Sequence, residues 1–125
     1  MKLEFKAGRG SDAAEISQIL ENWAKATSWI PQVHSAPERA DYGRWLLDHT
    51  KVTILHHEGQ MVGFLALEDN IVHSLYIKAG FRRVGFGQAA VRYAQEQFNE
   101  LKLWVFHANG DAQQFYQKLG FEALE

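Results

Sequence analysis

The chain of 125 residues is long enough for one domain with a hydrophobic core of its own. It has 46% hydrophobic residues, 22% charged residues and a formal charge of −2, which argues against a general binder of nucleic acids or membrane surfaces. The lack of cysteine excludes disulfides, thiolate metal sites and cysteine nucleophiles, and the lack of a long apolar segment predicts a soluble cytoplasmic protein.

The first part of the chain predicts a strand followed by two helices. The alternation in "KLEFK" indicates a short strand, and the apolar spacing in "ISQILENW" indicates a helix. Asp12 and Glu15 precede this helix in the order of a capping box. A second capping box, Ser35 with Glu38, predicts the start of another helix, with Pro37 in its first turn.

The remainder of the chain continues the alternation of strands and helices. Three strands, "KVTILHH", "QMVGFLAL" and "IVHSLYI", are separated by short turns. A helix at about 85–99, the strand "LKLWVF", a helix at about 109–118 and a short final strand in "GFEALE" follow. The order β-α-α-β-β-β-α-β-α-β predicts one mixed α/β domain, in which an antiparallel meander leads into a crossover helix.

Two glycines, Gly85 and Gly87, stand at the predicted start of the third helix, close to Lys78, Arg82 and Arg83. Unpaired N–H groups at a helix start bind phosphate, and glycine lets an anion approach them closely. A dinucleotide fingerprint would follow its strand directly and be followed by an acid, and a P-loop would need a G-K-[ST] sequence. The remaining interpretations are a phosphate site of another kind and a helix start with no ligand.

Two motifs resemble the GNAT superfamily of acyl-CoA-dependent N-acetyltransferases. The stretch "RRVGFG", with Arg82, Gly85 and Gly87, resembles the [QR]-x-x-G-x-[GA] loop that binds the pyrophosphate of acyl-CoA. The stretch "NGDAQQFYQKLGF" is similar to the later N-x-x-A-x-x-F-Y-x-x-x-G-F element of the family, and "KAGRGSDAAEISQIL" is similar to its first strand and helix. Ala79 stands where a proline is usual in the family.

The resemblance implies where acetyl-CoA would bind. In the family, N–H groups of the glycine loop hold the pyrophosphate, the preceding strand pairs with the pantetheine arm, and the asparagine of the later motif contacts that arm. The corresponding residues in this chain are Arg82, Arg83, Val84, Gly85, Phe86, Gly87 and Gln88 in the loop, Leu75, Tyr76 and Ile77 in the strand, and Asn109.

The resemblance also implies that Tyr116 protonates the departing thiolate. The residues alone leave a second interpretation open, because Ala112, Phe115, Tyr116 and Leu119 recur at the spacing of a helix face in the core. A thiol of ordinary pKa near 8.5 that leaves as thiolate gains from a nearby O–H donor. We therefore take Tyr116 as the general acid, with no covalent enzyme intermediate, and expect strand N–H groups near Leu75 to stabilise the oxyanion.

His73 is the candidate base, because it lies on the strand predicted to bind the cosubstrate and has the parity of Ile71 and Leu75. An imidazole suits removal of a proton from an ammonium group. A solvated or core histidine is the alternative interpretation. His56 and His57 point to opposite faces of a strand and cannot hold one metal ion together, so no metal is expected.

The segment "TSWIPQVHS" between the first two helices falls where the family builds its acceptor pocket. Trp29 is predicted to cover the acceptor and His34 to hydrogen-bond it. Alternatively, Trp29 and Ile30 only attach this loop to the core. No residue here specifies the acceptor beyond a primary amine of a small molecule or peptide.

The function predicted from the sequence is transfer of an acetyl group from acetyl-CoA to such an amine. The alternatives are a catalytically silent acyl-CoA-binding module and a nucleotide-binding domain. Family members usually continue with two further strands after the "GF" of the later motif, which implies a shortened C-terminal end and an exposed edge on strand 101–106. The tail itself, a second chain in a homodimer, or loss of the end in a fragment would each account for this edge, and we favour a fragment.

Overall fold

The strands form one mixed sheet in the order β1-β2-β3-β4-β5. The computed structural model describes residues 3–26, 36–82, 84–105 and 108–123, and for 36–40 only the backbone. The elements in chain order are β1 Glu4–Ala7, α1 Ala13–Ala26, α2 Ala36–His49, β2 Lys51–His57, β3 Gln60–Glu68, β4 Ile71–Ile77, α3 Phe86–Gln95, β5 Lys102–Leu103 and α4 Gly110–Lys118. The predicted mixed α/β class is confirmed.

The sheet is antiparallel from β1 to β4 and parallel only between β4 and β5. Short turns join β2 to β3 and β3 to β4, whereas β1 is joined to β2 through α1 and α2. The parallel step from β4 to β5 passes through the crossover helix α3. The parallel pairing is short, because only Ile71 with Lys102 and Val72 with Leu103 are matched.

Helices cover both faces of the sheet. On one face, α1 and α2 bury Ile16 and Leu46 against Ile54 and Phe64 of the strands. On the opposite face, α3 buries Phe86 and Ala90 in a second cluster with Leu55, Val62 and Leu65 of the strands. A strand covered on both faces reads as a continuous apolar run, which explains why "MVGFLAL" in β3 does not alternate.

The first predicted capping box does not form. A one-turn 3-10 helix, Gly10–Asp12, leads directly into α1, and the Asp12 carboxylate accepts the N–H of Arg9 at 2.8 Å. Glu15 is drawn instead to Lys78, 63 residues away. Helix α2 begins at Ala36. Ser35 and the side chain of Glu38, which make up the second predicted capping box, lie outside the described part of the chain.

The predicted elements near the C-terminus are longer than the observed ones. Helix α3 ends at Gln95, and β5 has two residues because β4 pairs with it only over its first two positions. The side chain of Trp104, just after β5, is 86% exposed. Residues 121–123 have no regular structure, so no final strand forms there, and 124 and 125 lie outside the described residues. Within the described part of the chain, no helix is long and apolar enough to cross a membrane.

Candidate active site

A β-bulge in β4 opens the sheet beside β5. Ser74 pairs with Ala66 of β3, but the next matched pair is Val72 with Leu67, so His73 is an extra residue in β4. A bulge bends the strand and increases its twist. Parallel pairing with β5 is confined to positions before the bulge, and from His73 onwards β4 has no strand partner on that side among the described residues.

The open edge of β4 presents main-chain groups of alternate residues. Lys78 N–H donates to Val62 O at 2.8 Å, so by the two-residue repeat the main chains of Ser74 and Tyr76 face β3. The N–H and C=O groups of Leu75 and Ile77 then face the open side. Arg82 Nε donates to Ile77 O at 3.0 Å, in agreement with this direction.

The start of α3 has the geometry of an anion site. Gly85 is its N-cap with φ of 92°, a left-handed conformation that a Cβ would strain. The first helical bond runs from Ala89 N–H to Gly85 O at 3.0 Å, which leaves the N–H groups of Phe86, Gly87 and Gln88 outside the helix ladder. Val84 beside them is 42% exposed, and Arg83 lies outside the described residues.

The two glycines differ in their surroundings. A Cβ on Gly85 would meet no atom within 4 Å, so its backbone angle is the reason for glycine. A Cβ on Gly87 would lie 3.4 Å from the ring of Phe115, an ordinary van der Waals distance. The start of α3 therefore lies close to α4 at this position.

A groove of about 400 Å³ lies between α1 and the connection from β4 to α3. Its walls include Asn22 and Trp23 from α1, and Ile77, Lys78 and Arg82 from the other side. The ammonium of Lys78 is paired with Glu15, so the positive charge expected here is partly neutralised. Arg82 also lines this groove, and its Nε donates to Ile77 O.

Helix α4 is fixed at both ends by its own motif residues. Asn109 is the N-cap, and its Oδ1 accepts the N–H of Ala112 at 3.0 Å. At the other end Gly120, with φ of 97°, donates to Gln117 O, and Phe121 N–H donates to Tyr116 O at 3.1 Å. These two bonds make a Schellman motif, which gives the "G-F" of the sequence a structural purpose.

Tyr116 is enclosed by rings and remains protonated at neutral pH. Its ring meets Phe115 at a centroid distance of 5.0 Å and Phe121 at 5.4 Å, both edge to face. Burial raises the pKa of Tyr116 to about 12. Burial, with the phenols of Tyr42 and Tyr116 nearby, raises the pKa of Tyr76 to about 12. The phenol of Tyr76 in β4 thus lies near those of Tyr42 in α2 and Tyr116 in α4.

His73 faces α2, away from the face occupied by Leu75. Its ring lies 5.5 Å from that of Trp45 and 6.5 Å from that of Tyr42. Leu75 instead packs with the cluster under α3. The parity that His73 shares with Leu75 in the sequence is broken by the bulge, which inserts one residue and reverses the facing of the strand.

Two predicted acceptor residues lie outside the described part of the chain, and two residues next to His73 were not predicted as part of the site. Trp29 and His34 lie outside the described residues. Sequence reasoning did not identify Ser74 or Tyr42, although a serine beside His73 in an otherwise apolar strand was a usable signal. Among the described residues, no group of three or more His, Asp or Glu side chains could hold a metal ion.

The fold and the two motifs agree with what is found in known proteins. The profile of the acetyltransferase (GNAT) domain matches residues 48–123. The chain therefore belongs to the GNAT superfamily of acyl-CoA-dependent N-acetyltransferases. Its catalytic class is that of a GNAT-type acetyltransferase.

Individual relatives share both sequence and fold. The peptidyl-lysine N-acetyltransferase YiaC of Escherichia coli K12 is 25% identical over 94% of this chain and 84% of its own length. A possible acetyltransferase from Clostridium difficile 630 superimposes with a TM-score of 0.81 at 18% identity, over 100% of this chain and 93% of the other. The PaiA N-acetyltransferase from Thermoplasma acidophilum, solved with coenzyme A, has a TM-score of 0.71 at 19% identity, over 98% and 91%.

Proposed function

We propose that this domain transfers the acetyl group of acetyl-CoA directly to a primary amine of a small molecule or a peptide. The observation that carries the proposal is the open edge of β4 beside the bulge, where the main chain of Leu75 has no strand partner among the described residues. The phenol of Tyr116, near that of Tyr76 of the same strand, supports it. A ternary complex is expected, because the chain has no cysteine and no nucleophile elbow.

Each proposed catalytic group has a distinct task. The Leu75 N–H, which faces the open edge, hydrogen-bonds the oxygen of the thioester carbonyl as negative charge develops on it. His73 takes a proton from the ammonium form of the acceptor, so that the amine lone pair can attack. Tyr116, a phenol with a pKa of about 12 that keeps its proton at neutral pH, gives that proton to the departing sulfur. The second proton, which the attacking nitrogen loses as the amide forms, restores the phenol.

The cosubstrate is expected to bind along β4 and the start of α3. The main-chain groups of Leu75 and Ile77 would pair with the pantetheine arm, and Arg82 would exchange Ile77 O for the pyrophosphate. Asn109 uses its Oδ1 for the helix cap, so its amide N–H₂ is the group that can reach the arm. The fold relative from Thermoplasma acidophilum was solved with coenzyme A, which supports a CoA ester as donor.

The proposed acceptor is a primary amine. YiaC is named a peptidyl-lysine N-acetyltransferase, so lysine peptides are the first acceptors to examine. Trp29 and His34 remain the proposed acceptor contacts. We expect the protein to act in the cytoplasm, and a homodimer would be compatible with the open edge of β5.

The direct test combines binding with turnover. Calorimetry should detect binding of acetyl-CoA, and neither ATP nor NAD should compete for the site. Thiol release should then be followed over a panel of simple amines, polyamines and lysine peptides. Binding of acetyl-CoA without thiol release for any amine would contradict the proposed activity and favour a silent acyl-CoA-binding module.

A charge reversal locates the pyrophosphate. We expect Arg82→Glu to weaken acetyl-CoA binding by about tenfold or more, because a cation beside the phosphates becomes an anion. Arg92→Glu is the matched control, since Arg92 is exposed further along α3, where it contacts Gln95. Equal Kd values for the two variants in calorimetry would contradict a pyrophosphate site at Arg82.

A further inference from the structure

The bulge in β4 brings two consecutive polar side chains together. Neighbours on a regular strand point to opposite faces. Here His73 Nδ1 and Ser74 Oγ lie 3.0 Å apart, and both side chains are on the α2 side of the sheet. Ser74 is only 7% exposed, so its hydroxyl depends on protein partners rather than water.

The partners of Ser74 link the direction of its O–H to the tautomer of His73. The Ser74 side chain also hydrogen-bonds Tyr42 of α2. A hydroxyl has one hydrogen and two lone pairs. If the hydrogen of Ser74 is directed to the Tyr42 oxygen, a lone pair faces His73 Nδ1, which must then be the donor. The lone pair of the imidazole is left on Nε2, for which the described residues provide no hydrogen-bond partner.

We propose that Ser74 is a positioning residue that accepts the Nδ1–H of His73 and so holds the imidazole in the tautomer whose Nε2 can accept a proton. The inference rests on the proposed function, in which His73 takes the proton of the acceptor ammonium. In that step one N–H bond of the ammonium breaks and an Nε2–H bond forms. The positive charge moves to the imidazole ring, whose Nδ1–H stays hydrogen-bonded to Ser74 Oγ.

Nitrogen NMR on the free protein tests this directly. At pH 8.5, where an imidazole is ordinarily neutral, long-range ¹H–¹⁵N spectra distinguish the two tautomers, with His73 assigned by His73→Gln. We expect Nδ1–H in the wild type and in Ser74→Thr, and a shift towards Nε2–H in Ser74→Ala. Thr53→Val is the control, because Thr53 is a buried hydroxyl on β2, two strands from β4.

Kinetics supply a second readout. We expect Ser74→Ala to lower kcat about tenfold with the KM for acetyl-CoA unchanged, a smaller loss than the 10²–10⁴ that a general base itself contributes. Ser74→Thr should retain the wild-type rate. An Nε2–H tautomer in the wild type would overturn the proposal even if Ser74→Ala did not fold. Because the spectra need no substrate, failure to acetylate any amine would contradict the proposed function and leave the tautomer result standing.

Discussion

At the scale of single residues, the site depends on a tyrosine whose environment matches its proposed task. A donor to a departing thiolate must keep its proton, and burial raises the pKa of Tyr116 to about 12. The flanking rings of Phe115 and Phe121 hold the phenol in one orientation. The same burial that an amphipathic pattern indicates as core packing moves the pKa of this phenol further above neutral pH.

Replacing Tyr116 separates chemistry from binding. We expect Tyr116→Phe to lower kcat by about 10²-fold, within the range for loss of a general acid, with little change in acetyl-CoA affinity. Steady-state kinetics and calorimetry measure the two effects. Tyr93→Phe is the control, because Tyr93 stacks on Phe5 of β1, where its ring is 4.3 Å away. An unchanged kcat for Tyr116→Phe would remove this residue from the mechanism.

At the scale of elements, the two ends of α4 determine the position of Tyr116. The Asn109 cap fixes the start of the helix, and the Schellman motif at Gly120 fixes its end one turn after Tyr116. Phe121 both donates its N–H to Tyr116 O and packs on the Tyr116 ring. The geometry of the acid is therefore coupled to the geometry of the helix end.

A pair of glycine substitutions tests this coupling. Gly120→Ala should destabilise the protein by about 1 kcal/mol, because alanine resists the φ of 97° although the space around it is open. Its kcat should also fall as Tyr116 loses its position. Gly110→Ala, at the first turn of the same helix and equally unobstructed, should be neutral or stabilising. Denaturant unfolding and kinetics measure both, and equal effects of the two substitutions would contradict the coupling.

At the scale of the whole molecule, the buried phenols of Tyr42, Tyr76 and Tyr116 make the stability of the fold depend on pH in the alkaline range. Burial raises the pKa of Tyr42 as well as those of the other two. Below pH 10 both the folded and the unfolded states keep these protons, so the contribution of these phenols to the free energy of unfolding is fully present there. As pH rises past 10 the unfolded chain loses its phenolic protons first, and stability falls until the folded pKa near 12 is passed.

The expected loss between pH 9 and 12 is on the order of 2 kcal/mol for each of Tyr76 and Tyr116. Urea unfolding at a series of pH values measures it. The double variant Tyr76→Phe, Tyr116→Phe should show a clearly flatter decline, because the groups responsible are gone. Parallel declines in the variant and the wild type would show that other groups control alkaline unfolding.

The sequence by itself determined most of the elements and the motif residues. The bounds of β2 and β4 agree with the predicted strands, because apolar runs and turn residues are local properties. The glycine at the start of α3 was identifiable for the same reason, since its left-handed angle restricts the residue type at one position. Likewise the resemblance to two short motifs was enough to identify the family.

Only the tertiary structure decided how the site is assembled. The facing of His73 depends on the register between β3 and β4, and the extra residue that reverses it has no local signature in "IVHSLYI". The pairing of Glu15 with Lys78 joins residues 63 positions apart, so a helix-capping pattern could not anticipate it. Strand pairing and long-range ion pairs are set by the packing of the whole chain, because the free energy that selects them comes from the buried core rather than from neighbouring residues.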